Sequence, residues 1–82
     1  MLEKDQMSGR IKNARMAMKQ SNGRKMSIEE VARRLGISKG SISHWEKGAN
    51  EPSGRNLAKL AEVLGVSQNW LLYGKDNKHL TY

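Results

Sequence analysis

The chain has 82 residues, with 15 Lys and Arg against 8 Asp and Glu, a net charge of +7 and no Cys. That length suits one small domain with one core, and the lack of Cys excludes disulfide, thiolate and Cys-ligated metal chemistry. Its apolar runs fall far short of the ~20 residues that span a bilayer, and residues 1–5 begin no secretory pattern, so the expectation is a soluble cytoplasmic chain.

The positive charge favours an anionic partner without distinguishing nucleic acid from a membrane surface or an acidic protein. Its distribution is uneven: residues 1–26 carry 7 basic against 2 acidic side chains, while the remaining two thirds are nearly balanced.

Serines at 8, 27, 38, 53 and 67 alternate with glycines at 23, 36, 48, 65 and 74. Serine favours helix starts and glycine helix ends, so the alternation predicts five helices. The first is expected over Gly9–Gln20, with Ile11, Ala14, Arg15 and Met18 on one face. Gln20-Ser21-Asn22-Gly23-Arg24-Lys25 then reads as a loop around an Asn-Gly turn.

In the second helix Ser27 caps the first turn and Glu30 is placed to reach back to the Ser27 amide, a capping box, while Met26 and Val31 have the spacing of a hydrophobic staple. Ile28, Val31, Ala32 and Leu35 follow on one stripe, and Gly36 ends it. Ser38 caps the third helix, which turns Ile42, Trp45 and the stem of Glu46 inward. Its outer face carries Gly40, Ser43, His44 and Lys47, with Lys39 and Ser41 on the flanks. Two short helices joined by so tight a turn form a helix-turn-helix, and Ala32 is small where they cross.

The fourth helix follows Pro52-Ser53 and buries Leu57, Leu60, Ala61 and Leu64. The fifth, from Gln68 to about Tyr73, is too short to persist unless packing of Trp70, Leu71 and Leu72 holds it. The expected core is Val31, Ala32, Leu35, Ile42, Trp45, Leu57, Leu60, Leu64, Trp70 and Leu71. The domain is expected over residues 8–74, between a loose segment 1–7 and a tail or linker start at 75–82.

Gly36-Ile37-Ser38, Ile42-Ser43-x-Trp45-Glu46-x-Gly48, Glu51-Pro52 and Trp70-Leu71-Leu72-x-Gly74 together resemble the amino-terminal DNA-binding domain of lambdoid phage repressors, within the Xre and Cro-like helix-turn-helix family. The resemblance implies an all-α, five-helix domain whose third helix enters the major groove. It implies base contacts from Lys39, Gly40, Ser43 and His44, and phosphate contacts from Arg15, Ser27, Ile28, Ser38, Ser41 and Lys47. Arg15 and Glu46 match the family's structural ion pair. A homodimer on a palindromic operator is implied, weak in solution if the chain is a fragment, with an antirepressor protein as a further partner. A host regulator, an antitoxin and a protein-interaction module are the alternative readings.

Three features stay open at this level. Arg24 and Lys25 lengthen the first connection and are either extra phosphate contacts or solvated charges on a tolerated insertion. Gly40 either permits close approach to a base or reflects drift. His44 is a base donor, a water-bridged phosphate contact or a surface residue. An enzyme is not expected, because His44 and Glu46 point to different sides of one helix and no carboxylate pair flanks a nucleophile. No cofactor or metal is expected either, since His44 and His79 have no ligand cluster around them.

Overall fold

The computed structural model describes residues 6–74, which form five helices: α1 (Met7–Ala17), α2 (Ile28–Leu35), α3 (Lys39–Lys47), α4 (Gly54–Leu64) and α5 (Gln68–Tyr73). The architecture is all-α. The expectations for residues 1–5 and 75–82 lie outside the described residues. No helix among the described residues is long and apolar enough to cross a membrane.

One core joins all five helices. Ile11, Met26, Val31, Ile42, Leu60 and Leu71 are its most deeply buried large side chains, and Ala32, Leu35, Trp45, Leu57 and Leu64 pack around them. Burial on this scale drives the assembly, and truncating a buried leucine such as Leu60 costs about 2–5 kcal/mol. Trp70 departs from the expected core. Its ring is half-buried over a groove of about 360 Å³ that it lines with Asn13, Ala14, Ala17, Met18, Leu64 and Val66. The alanines of α1 are too short to cover it.

The ends of the helices show where the serine-to-glycine rule holds. Ser27, Ser38 and Ser67 accept hydrogen bonds from the amides of Glu30, Ser41 and Trp70 at 3.0, 3.3 and 3.0 Å. Ser8 and Ser53 do not cap. Helix α1 begins two residues before Gly9, because Met7 is apolar and joins the core. Ser53 precedes Gly54, which enters α4 at φ +54°, and a left-handed entry does not hold the hydroxyl over the first turn. Gly36, Gly48, Gly65 and Gly74 each end a helix in the left-handed conformation.

Gly23 does something different. Helix α1 stops at Ala17, three residues before the expected end, and the chain turns into a short hairpin in which Lys19 pairs with Lys25 in an antiparallel bridge. The Met26 amide donates to the Met18 carbonyl at 3.2 Å and the Gln20 amide to the Arg24 carbonyl at 2.7 Å. Gly23, at φ +85°, closes a three-residue loop of the type that needs a left-handed residue at its end. The Asn22 side chain braces the turn by accepting from the Arg24 amide at 2.9 Å.

Helix α5 has six residues and cannot stand alone. Arg10 holds it. This guanidinium is buried, and its Nε and Nη2 donate to the carbonyls of Leu71 and Leu72 at 2.9 and 3.0 Å. It thus supplies partners to carbonyls that a helix end leaves unpaired, with a charge suited to the negative end of the helix dipole. Gly74 is required twice here. Its φ is +76°, and a Cβ would stand 3.3 Å from Arg10 Nη1.

Candidate nucleic-acid interface

Two exposed surfaces meet along the helix-turn-helix. The first is the outer face of α3, where Lys39, Gly40, His44 and Lys47 are exposed and Ser41 and Ser43 are half-buried. The face is built by what points away from it: Ile42 and Trp45 enter the core, and Glu46, the only acid of the helix, turns toward α1. The cations and small polar groups left outside have little competition. Lys39 Nζ lies a loose 3.7 Å from Glu29 Oε2, and no ion pair among the described residues engages Lys47. At the start of the helix the hydroxyls of Ser38 and Ser41 lie 3.1 Å apart, beside the bare backbone of Gly40.

The second surface is a cleft of about 280 Å³ between α1, α3 and the start of α2, lined by Lys12, Arg15, Ile28, Ser43, Glu46 and Lys47. Arg15 organises it. Its Nε donates to Glu46 Oε2 at 2.6 Å, Nη2 to Oε1 at 2.9 Å and Nη1 to the Met26 carbonyl at 3.0 Å. One guanidinium therefore fixes α3 against α1 and pins the residue before the α2 cap. This two-pronged geometry suits Arg and not Lys. The side chains are only 14% and 6% exposed, so the pair works in a partly dry setting where losing one partner is costly.

Helix α2 adds its amino end. The Ser27 hydroxyl occupies the Glu30 amide, while the Ile28 and Glu29 amides lie among the first N–H groups that no helical carbonyl can reach. Free amides and the positive end of the dipole suit an anion, and Lys12 and Lys47 flank the same opening. Ser43, grouped by the sequence reading with the base contacts, stands in the wall of this cleft.

The second half of the capping box is not formed. Instead of returning to the Ser27 amide, the Glu30 carboxylate accepts hydrogen bonds from Arg33 and from Arg34, the latter at 2.8 Å. The bond from Arg33 and then that from Arg34 hold the Glu30 carboxyl at about 2, down from an ordinary 4.5. Two arginines three and four residues on compete for the carboxylate, and they win because each places a full charge on it.

With this geometry in view, the family profile described as helix-turn-helix matches residues 12–71. The chain belongs to this helix-turn-helix family. It is 42% identical over 57 residues to the HTH-type transcriptional regulator DicA of Escherichia coli K12, a match covering 70% of this chain and 42% of DicA. It is 38% identical over 53 residues to repressor protein C2 of Salmonella phage P22, covering 62% of this chain and 24% of that protein. The chain spans less than half the length of the relatives it matches.

Two solved structures share the fold. The P22 c2 repressor, crystallised with synthetic operator 9T in the presence of Tl+, aligns with a TM-score of 0.70 at 29% identity over 85% of this chain and 97% of that one. The solution structure of the P22 c2 DNA-binding domain aligns with a TM-score of 0.73 at 32% identity, over 84% of this chain and 83% of that one. The helix-turn-helix family is one of DNA-binding transcriptional regulators, not of enzymes.

One residue of the cleft and one of the neighbouring hairpin are not marked by the sequence pattern. Lys12 stands one turn before Arg15 on α1 and lines the same cleft, a placement its spacing could have revealed. Lys19 meets Lys25 only because a hairpin forms, and no periodicity in the sequence announces that pairing.

Proposed function

We propose that this domain is the operator-reading part of a transcriptional repressor, of the kind that maintains a prophage, and that it acts in the cytoplasm. The observation that carries this reading is the small, cationic outer face of α3, opposed only by the loose Lys39–Glu29 contact, beside a cleft where Lys12, Lys47 and the start of α2 offer donors to one anion. A major groove about 12 Å wide admits one helix, and base edges reward short donors at its amino end.

In this reading α3 enters the groove, and Lys39, Gly40 and His44 face base edges. Ser43 lies at the boundary between the base-reading face and the cleft. Arg15, Ser27, Ile28, Ser38, Ser41 and Lys47, joined by Lys12, meet phosphates and set the register. Phosphate contacts fix orientation and base contacts carry the sequence preference. The P22 c2 repressor, solved with a synthetic operator, supports this assignment by its shared fold.

One helix reads only a few base pairs. The working unit is therefore a two-fold dimer on an inverted repeat with half-sites about 34 Å apart, and the isolated chain is mostly monomeric in solution, pairing on DNA. Selection of duplexes from a random pool at near-physiological salt tests the proposal. An enriched inverted repeat with half-sites one helical turn apart supports it. Binding that fades with salt and enriches no motif defeats it.

A further inference from the structure

We infer that the hairpin between α1 and α2 is a second grip on the DNA backbone, in which Lys19 and Lys25 together hold one phosphate beside the one met by the start of α2. The inference rests on the DNA-binding reading above and extends its footprint past the helix-turn-helix.

The argument begins with an unfavourable arrangement. The hydrogen bonds from Met26 to Met18 and from Gln20 to Arg24 flank the Lys19 and Lys25 pair without passing through it. Such a non-hydrogen-bonded pair brings its strands closest, with side chains on one face and Cβ atoms about 5 Å apart. Like charges directly opposite destabilise a ladder. Residues 18–26 contain no acidic side chain, and no ion pair among the described residues engages Lys19, Arg24 or Lys25. Two exposed lysine side chains thus leave one face of the ladder next to each other with no acid in the hairpin, an arrangement that a phosphate between their ammonium groups relieves.

The hairpin is also built to hold that pair rather than to be a slack insertion. The Gln20 side chain donates to the Lys25 carbonyl at 2.9 Å, Asn22 braces the turn, and Gly23 supplies the left-handed residue. Its return strand ends at Met26, which is buried and whose carbonyl accepts from Arg15. The next residue is Ser27, the cap of α2. The lysine pair is therefore rigidly joined to the cleft in which the first phosphate is proposed to sit. The sequence pointed to Arg24 with Lys25. The ladder instead joins Lys25 to Lys19, and strand alternation turns Arg24 toward the opposite face.

The test is the salt dependence of binding of the whole chain to a mixed-sequence duplex, measured for the parent, Lys19→Gln/Lys25→Gln and Arg24→Gln, with thermal melts to verify folding. A lost phosphate contact lowers the slope of log affinity against log salt by about 0.9, so the double variant is expected to lose ~0.9, and Arg24→Gln much less. Without DNA, the double variant is expected to melt no lower than the parent. A parent that binds with a steep slope left unchanged in the double variant overturns the inference alone. An equal fall in Arg24→Gln also overturns it, because net charge rather than the paired face is then responsible. A parent with no salt-dependent binding to duplex defeats the underlying DNA-binding reading instead.

Discussion

Helices α2 and α3 lie side by side and both carry charge outward, yet they spend that charge in opposite ways. On α2, Glu30 binds both Arg33 and Arg34, so these three charges are paired among themselves within one turn. On α3, the single acid is withdrawn into the Arg15 pair, and the outer surface keeps its cations with only the loose contact from Lys39 to Glu29 against them. A polar helix face is normally only solvated. The contrast between neighbours of similar length supports α3 as the proposed reading face: Glu30, Arg33 and Arg34 are engaged with one another, whereas of the α3 cations only Lys39 has an acid near it, at a loose 3.7 Å.

The largest break in that comparison comes from Glu46→Ala. It strands the Arg15 guanidinium in a partly dry cleft, and it frees α3 from α1 and from the residue before the α2 cap. The expected loss of stability, read by urea unfolding, is about 3 kcal/mol, with duplex binding falling as well. A loss under ~1 kcal/mol would mean that the pair behaves as an ordinary surface contact, and that the withdrawal of Glu46 has no structural weight.

Next come the outward side chains themselves. Lys39→Ala and His44→Ala are each expected to cost about 1–3 kcal/mol in binding to a selected site and to relax preference at one base position. Arg33→Ala and Arg34→Ala should leave site preference unchanged. Equal effects from the two helices, measured by titration against the selected duplex and its point variants, would abolish the distinction between them.

Gly40→Ala acts at a smaller scale and with opposed signs. A Cβ there meets only Ser38 Oγ, at 3.9 Å, so the helix has room for it. Alanine is a better helix former by about 1 kcal/mol, which in a domain of this size raises the melting temperature by ~4–8 °C. Binding is expected to weaken or change its preferred base all the same, because the added methyl stands on the exposed face of α3 proposed to enter the groove. A more stable variant with unaltered affinity and site preference would mark the glycine as incidental.

Most of the scaffold was legible because it rests on local chemistry. Amphipathic stripes and glycine ends placed α2 to α5, since each signal acts within a few residues. The errors arose where distant residues decide. Nothing in its neighbours tells that Arg10 reaches the end of α5, because its carbonyl partners lie 61 and 62 residues away. Asn22-Gly23 announces a turn by itself, but that the turn closes a hairpin depends on Lys19 pairing with Lys25 across it. Trp70 reads as core from its pattern, but the short side chains of Ala14 and Ala17 opposite leave its ring half open. For the interface, the sequence marked α3 because its face needs only helical periodicity. The cleft requires three elements to converge, so neither Lys12 nor the place of Ser43 in its wall is legible from one helix's periodicity.

The finest test of the comparison between α2 and α3 uses pH. In the folded chain the Glu30 carboxyl sits at about 2, held there by Arg33 and then Arg34, against an ordinary 4.5. A depressed carboxyl pKa stabilises the fold fully above the unfolded value, and that contribution is lost as pH falls from about 4.5 toward 2. In Glu30→Gln the cap survives, because Ser27 accepts from the backbone amide of residue 30 and not from its side chain. Melting the parent and this variant in parallel therefore isolates the ion pairs. The parent is expected to melt slightly higher at neutral pH, with the gap closing through that acid window and narrowing in high salt, because the pairs are at the surface. A gap that persists at the acid end would mean that Glu30 stabilises α2 by something other than its charge, and the internally paired face would no longer account for the difference between the two helices.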